Sequence, residues 1–498
     1  MRGQPLRKDL IEPLILRHIE PNRMKKLLLA VCALSFIGHI QSQTTTSFRI
    51  NYDQALMDLP GNAIEGLTAN TYVFAGTNVN FLPIYGTVTQ IDNSGALTWA
   101  KRYYDGSFGF QISDIKKDAS LNEYYVCGGS ESNAGVFMRL DAAGNVVVSK
   151  KFSIAEADGA YLQRVIKVSD GGYVAVGYVT GHDPDGAGPE QDFAPITYTD
   201  NNGDSQTDYI SSPLIVKFDA SGNHLWHKVF RYYTSAAKTT AIYNDAWLND
   251  VVETTDGYIA VGQYDVNQHR SNTNSDGDDA TATDAIVLKT TTAGTITYHK
   301  QYDTQNTSPT QSSKTLQAIS LTSTGVPIAA GTDNSREWIV KFAGTGGWVS
   351  TFSRLFTYPG FGAVADVSQV YEVTGSTDLV TMAMYINPFA FTFADAMHRV
   401  NSTATTNVWA KTYTFGLATI LPRGSKTSDL GYIMISTAMA ASFDYHIIKT
   451  DPNGDTPISG ELLLTVPQDQ SRQQLLLELQ QLQILITTIT VGQLVPKH

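Results

Sequence analysis

The stretch SDGGYVAVGYV, Ser169 to Val179, is written again about 86 residues later as TTDGYIAVGQY, Thr254 to Tyr264. Each copy opens on an Asp-Gly pair, runs through β-branched and aromatic residues and closes on a glycine, Gly177 or Gly262. Asp and Gly suit a tight turn, the apolar run suits a strand, and the closing glycine admits a close approach of neighbouring backbone. Further copies read TYVFAG from Thr71, NEYYVCGG from Asn122, GVPIAAG from Gly325 and LGYIMIS from Leu430, with TDLVTMAMY from Thr377 the loosest. A phrase recurring at this interval marks a repeat architecture, in which each unit is one supersecondary element.

Each copy is followed by a second motif: VTQID at Val88, FMRLD at Phe137, IVKFD at Ile215, VLKTT at Val287, IVKFA at Ile339, MHRVN at Met397 and IIKTD at Ile447. A long polar residue between apolar ones predicts a strand with one buried face. Turns such as DNSGA, DAAGN and DASGN come next, with Asp opening and Gly placed for a left-handed residue. Six of the turns lead into an aromatic-basic-aromatic strand: WAKRY at Trp99, WHKVF at Trp226, YHKQY at Tyr298, FSRLF at Phe352, WAKTY at Trp409, and the variant VSKKF at Val148. The seventh turn has no such strand after it. The missing one lies at the other end of the chain, in SFRINYD, where Phe48 and Tyr52 have the matching separation.

Seven third strands and six outer strands, plus one at the N-terminus, predict an all-β, seven-bladed β-propeller over residues 46–458, closed by the N-terminal strand. Such a strand would remove an exposed sheet edge, and seating its two aromatics would contribute on the order of 3–6 kcal/mol before ordering costs. A β-sandwich array or an open solenoid is the alternative reading; an eighth blade would need another copy of the third-strand motif.

Residues 1–43 stand outside the fold. Met24-Lys25-Lys26 followed by LLLAVCALSFIG has the layout of a secretory signal and is too short to span a bilayer. This places Met24 as the initiator, cleavage near Ser42 or Gln43, and the protein outside the cell or on its surface. Val31 before Cys32 argues against lipidation. The mature chain then keeps a single cysteine, Cys127, in an apolar context that suits a buried small hydrophobe. Residues 1–43 carry seven Lys and Arg against three Asp and Glu, so the formal charge moves from −12 to −16 without them. Nucleic acid and anionic membrane surfaces are poor partners for such a chain.

The run IVKFDASGNHLWHKVF together with SDGGYVAVG resembles the repeats of secreted bacterial β-propeller proteins exported by type IX secretion. The resemblance covers nearly all of residues 46–458 and implies architecture and export, with no catalytic residue to carry over. Such proteins often end in a β-sandwich sorting domain, which is not recognisable here. The segment 461–498 has no aromatic among 38 residues. It reads instead as a Leu/Gln-rich tail, helical from about Ser471, or as a frameshifted or truncated end.

Three connections are long, and all fall on blades 3 and 4: residues 181–212, 268–284 and 231–247. In the first, Asp200, Asn202, Asp204 and Asp208 set oxygen ligands at alternate positions around Gly203; Asp276, Asp278, Asp279 and Asp284 form a looser series in the second. Hard oxygen donors packed this closely suit Ca²⁺. The aromatics of the same sector (Phe193, Tyr198, Tyr209, Tyr232, Tyr233, Tyr243, Trp247) suit stacking on sugar rings, or packing of the loops onto the blades. His224 and His227, three apart on a strand, are expected to face opposite ways. No nucleophile elbow, phosphate loop or zincin helix is present. The expected function is a secreted, monomeric, non-enzymatic binding propeller for a glycan or surface protein, with calcium-ordered loops. The alternatives are a polysaccharide hydrolase or lyase using two acidic loop residues, and a structural role in a surface layer.

Overall fold

The computed structural model describes residues 48–465 except 54–57, 69, 80–83, 105–108, 131, 155–156, 181–195, 200–204, 209–210, 231–244, 267–281, 303–312, 343–349, 357–362, 388–391, 402–406, 414–417, 440–442 and 457–460. The described residues form strands and turns with no helix, so none is long and apolar enough to cross a membrane.

Seven antiparallel sheets follow one another along the chain. Blade 1 is β2 (Asp58–Glu65), β3 (Thr71–Val79), β4 (Ile84–Asp92) and β5 (Leu97–Tyr103), preceded by β1 (Phe48–Asp53). Blade 2 is β6 (Phe110–Asp118), β7 (Glu123–Ser130), β8 (Gly135–Asp141) and β9 (Val146–Phe152). Blade 3 is β10 (Gly159–Lys167), β11 (Tyr173–Thr180), β14 (Ser211–Phe218) and β15 (His224–Val229), with a separate hairpin of β12 (Ile196–Thr199) and β13 (Ser205–Asp208) between its second and third strands. Blade 4 is β16 (Ala246–Thr254), β17 (Gly257–Val266), β18 (Ala282–Thr290) and β19 (Ile296–Tyr302); blade 5 is β20 (Lys314–Leu321), β21 (Pro327–Asp333), β22 (Arg336–Phe342) and β23 (Ser350–Phe356). Blade 6 is β24 (Ala363–Glu372), β25 (Leu379–Asn387), β26 (Thr392–Val400) and β27 (Asn407–Tyr413). Blade 7 contains β28 (Ala418–Lys426), β29 (Tyr432–Met439) and β30 (Phe443–Thr450). The first strands of successive blades touch in cyclic order, and β28 and β29 return to β2. The chain is a seven-bladed β-propeller with its first strands innermost.

The core is seven slabs, one between each pair of neighbouring blades. Ala63, Phe74 and Ile91 of blade 1, for example, meet Ile433, Tyr445 and Ile447 of blade 7, while Cys127 and Phe137 of blade 2 meet Ala175 and Phe218 of blade 3. Middle strands are therefore buried on both faces, where the alternation in sequence had suggested one. At Lys217, 3 % exposed, the reason is visible: its ammonium lies 2.7 Å from the Asp170 carboxylate, so the charge is paired inside its own blade. Lys289–Asp256, Lys449–Asp429, Arg399–Asp378 and Arg139–Glu123 repeat the arrangement. The Asp of the first quoted phrase and the basic residue of the second motif are thus two halves of one contact. Each fully buried Val, Ile or Phe in a slab contributes about 1.5–3 kcal/mol relative to exposure.

The final glycine of the phrase has an equally local cause. Gly177 stands opposite Leu162, after which β10 bulges at Gln163 before Arg164 pairs with Val176. A Cβ on Gly177 would lie 1.9 Å from the Tyr161 carbonyl oxygen, so the bulge requires its absence. The innermost strand of every blade has a register shift at the corresponding place.

β1 pairs antiparallel with β30, with Phe48 opposite Lys449, Ile50 opposite Ile447 and Tyr52 opposite Tyr445. β31 (Glu461–Thr465) adds outside it, parallel to β1. The tail beyond, including the helix expected from Ser471, and the leader 1–43 lie outside the described residues.

Candidate functional site

In a four-stranded antiparallel meander, the connection from second to third strand and the connection to the next blade leave from the same end. The enlarged segments of blades 3 and 4 therefore share one face. Of the residues singled out there, Asp200, Asn202, Asp204, Asp276, Asp278, Asp279, Phe193, Tyr209, Tyr232, Tyr233 and Tyr243 lie outside the described residues. Tyr198 falls in β12 and Asp208 in β13, where Tyr198 is opposite Gln206 and Asp208 opposite Ile196. Asp284 is brought into the blade: it is 1 % exposed in β18 and accepts a hydrogen bond from the Tyr264 hydroxyl at 2.8 Å. Trp247 is likewise buried, in β16, with the packing role that the sequence left open. Among the described residues no three His, Cys, Asp or Glu side chains are grouped to hold a metal ion.

Beneath that face the structure assembles a group that the sequence reading missed. The residue following each inner-strand bulge is, around the ring from blade 1, Asn62, Asp114, Arg164, Asp250, Ala318, Asp366 and Arg423. Acid and base alternate over much of this circle. An innermost strand has no sheet neighbour on its inner side, so its backbone groups need side-chain partners. Asp114 accepts from the Val165 N–H of the next blade at 3.3 Å, Asp250 from the Ile319 N–H at 2.9 Å, and Gln317 from the Val367 N–H at 3.0 Å. Asn62 donates to Asp114 at 2.7 Å and to the Ile115 carbonyl at 3.3 Å.

The charges of this ring act on one another across the axis. Arg164, 2 % exposed, has its Nη1 3.8 Å from Asp114; burial opposes its charge, but Asp114 and Asp250 more than restore it and raise its pKa. Burial and the Arg164 charge together bring Arg423 down to about 10. Burial raises the Asp250 and Asp366 carboxyls, opposed by the charges of Arg164 and Lys116 at Asp250 and of Arg423 and Arg164 at Asp366. Nε and Nη1 of Arg164, Nε of Arg423 and Oδ1 of Asp366 find no protein hydrogen-bond partner among the described residues. The ring joins blades by charge and hydrogen bonding around the axis.

Two other buried polar groups have the composition of catalytic sites without the access. Between blades 6 and 7, Ser436, His446 and Asp395 are each 0 % exposed. Ser436 Oγ donates to Asp395 at 2.5 Å, and His446 Nδ1 lies 3.4 Å from both the hydroxyl and the carboxylate. A nucleophilic triad needs Ser on one ring nitrogen and the acid on the other, so this arrangement is structural. Between blades 5 and 6, Glu337 receives the Thr381 and Tyr385 hydroxyls and sits 2.9 Å from His398 Nδ1.

On the outer strand of blade 3 the structure corrects the expected divergence of His224 and His227. A bulge sets Lys217 opposite Trp226 and Phe218 opposite His224, skipping Leu225. The extra residue turns both imidazoles to one side, with His224 Nε2 3.1 Å from His227 Nδ1.

No family model and no curated protein matches this sequence. Several solved structures share its outline. A protein of unknown function from Bacteroides caccae is 9 % identical, with a TM-score of 0.38 over 70 % of this chain and 97 % of that one. The Dos1 propeller is 10 % identical, with a TM-score of 0.43 over 85 % and 97 %. Sqt1 of Chaetomium thermophilum, bound to the N-terminus of the ribosomal protein L10, is 10 % identical, with a TM-score of 0.42 over 82 % and 99 %.

Proposed function

We propose that this propeller is a secreted, non-enzymatic binding protein that engages a glycan or a surface protein through the face bearing the enlarged connections of blades 3 and 4. The observation that carries the reading is the placement of those connections. Three long segments leave one end of two adjacent blades, and long loops on a rigid scaffold are where binding is concentrated. Inside the blades, by contrast, Lys217–Asp170, Arg164–Asp114, His398–Glu337 and His446–Asp395 are contacts within and between blades. Export by type IX secretion, Ca²⁺ held by the series Asp200, Asn202, Asp204 and Asp208, and action as a monomer belong to the same proposal.

A glycan array probed with the mature chain, with and without EDTA, tests this. Binding that EDTA weakens, together with faster protease nicking within residues 181–212 after chelation, is the expected result. Calcium at ten times its dissociation constant would stabilise the loop by about 1.4 kcal/mol. Array binding that survives deletion of residues 182–210 and is indifferent to EDTA would move the site elsewhere.

A further inference from the structure

We propose that His224 and His227 form a binding site for a borderline divalent transition-metal ion, Cu²⁺, Ni²⁺ or Zn²⁺, on the outer rim of blade 3. The two facing nitrogens are 3.1 Å apart. Two imidazole nitrogens at about 2.0–2.1 Å from one tetrahedral ion are separated by roughly 3.3 Å, so the pair is set close to a chelating distance. Its position is fixed from two sides. The bulge at Leu225 brings both rings to one face of β15. Phe152 of the neighbouring blade packs against both, with ring centroids at 5.1 Å from His224 and 5.4 Å from His227.

The chemistry selects the ion. Neutral imidazole favours Cu²⁺, Ni²⁺ and Zn²⁺ over Ca²⁺ and Mg²⁺. In the metal-free pair one of the two facing nitrogens carries the shared proton. When the ion enters, that proton passes through solvent to the other nitrogen of its own ring, so both imidazoles stay neutral and each turns a lone pair to the metal. His224 is exposed, and its ring can make the small rotation that chelation needs. Among the described residues no third His, Cys, Asp or Glu completes the set, so water fills the remaining positions and the ion stays open to an outside ligand.

The test uses the tag-free mature chain, titrated with Cu²⁺ and Zn²⁺ by calorimetry, with electron paramagnetic resonance of the Cu²⁺ form. The expected result is a Cu²⁺ signal with two coupled nitrogens that is lost in H224A/H227A. Each single alanine variant should bind about tenfold or more weakly, since even partners one shell further out cost that much. The variant H224L/L225H keeps the histidine count but moves one ring to the bulge position, and should bind as weakly as H224A. Melting without metal checks that the variants fold. A double variant that binds Cu²⁺ with unchanged stoichiometry and affinity, or H224L/L225H that binds like the parent, would overturn the proposal.

Discussion

Arg164 is among the largest side chains fully buried in the protein, and it has no apolar reason to be there. Its place is set by one bulge and by the carboxylates of Asp114 and Asp250, of which Asp114 is the nearer partner. Asp114 faces it at 3.8 Å while also accepting the Asn62 amide and the Val165 N–H. Removing one partner of a buried pair leaves the other charge uncompensated, at a cost of about 3–5 kcal/mol. Asp114→Ala is therefore expected to lower stability by that amount in denaturant unfolding, and Asp114→Asn by less, because the amide oxygen can still accept the Val165 N–H. A loss under about 1 kcal/mol for the alanine variant would mean that the ring carries no net stabilisation. The titrating groups give a second prediction at this scale. Hydrogen bonds from Lys217 and Lys289 hold Asp170 and Asp256 below the ordinary carboxylate range, and Asn145 and Asn223 do the same for the turn residues Asp141 and Asp219. Groups depressed on folding contribute stability above their unfolded pKa of about 3.9 and lose it as pH falls through the folded values. His398 works in the opposite sense: burial lowers it, but the Glu337 charge and hydrogen bond outweigh burial and raise it. Its contribution is complete below about pH 6.5 and is lost as pH rises through the raised value. The melting temperature should thus be highest between roughly pH 4 and 6.5. In His398→Gln the decline on the alkaline side should flatten while the acid limb stays.

Strands and turns cooperate across blades through one recurring clasp. Trp99 and Tyr103, on the outer strand of blade 1, reach the third turn of blade 2, where the Tyr103 hydroxyl donates to the Gly144 carbonyl at 2.7 Å. Gly144 has φ 77°, and a Cβ there would lie 2.7 Å from the Trp99 ring. Tyr413, Trp409 and Gly454 repeat the clasp between blades 6 and 7. Gly144→Ala meets both a left-handed backbone and the indole, so it should destabilise by more than about 1 kcal/mol, whereas Tyr103→Phe, which loses one buried hydrogen bond, should cost about 1 kcal/mol. Equal melting temperatures for Gly144→Ala and the parent would show that the turn moves freely away from Trp99. Much of this element-level design was legible. The spacing of Trp99 from Tyr103 marked the outer strands, and the same spacing picked out Phe48 and Tyr52 in the strand that pairs with β30. The bulges were harder to read, because the extra residue shifts the alternation of its own strand without a residue type of its own to mark the place; this is why His224 and His227 were expected to diverge. The closing glycines were the available signal, since Gly128, Gly177, Gly262 and Gly331 each stand against an inner-strand carbonyl oxygen. The ring beyond them stayed hidden because its members, from Asn62 to Arg423, share a position and no chemistry. Of the loop residues chosen as ligands, only Asp284 and Trp247 have described side chains, and both turn into the blade because their strands begin before them.

At the scale of the molecule, seven equivalent slabs mean that no blade is terminal, and parting any one slab exposes two apolar faces at once. The chain passes from one blade to the next at every slab, including from β1 to β2 between blades 7 and 1, so the seam of the circle lies inside blade 7, where β30 meets a strand from the other end of the sequence. β1 bears on it directly: residues 48 to 52 pair with 449 to 445, tying the first strand to the last blade across some four hundred residues of chain. Without β1 the edge of β30 would be unpaired, and an unpaired edge invites pairing with another molecule. Deleting residues 46–53 is expected to lower stability by an amount on the order of 3–6 kcal/mol, the burial expected of the strand's aromatic pair. The loss should appear as a lower melting temperature and as concentration-dependent association in sedimentation. Because the pairing is intermolecular once the strand is cut away, a synthetic SFRINYD peptide added in excess should restore both, while a peptide of scrambled order should not. If the shortened chain melts with unchanged temperature and cooperativity and remains monomeric, then the contacts of β28 and β29 with β2 hold the circle by themselves, and β1 is an attachment to a ring already complete.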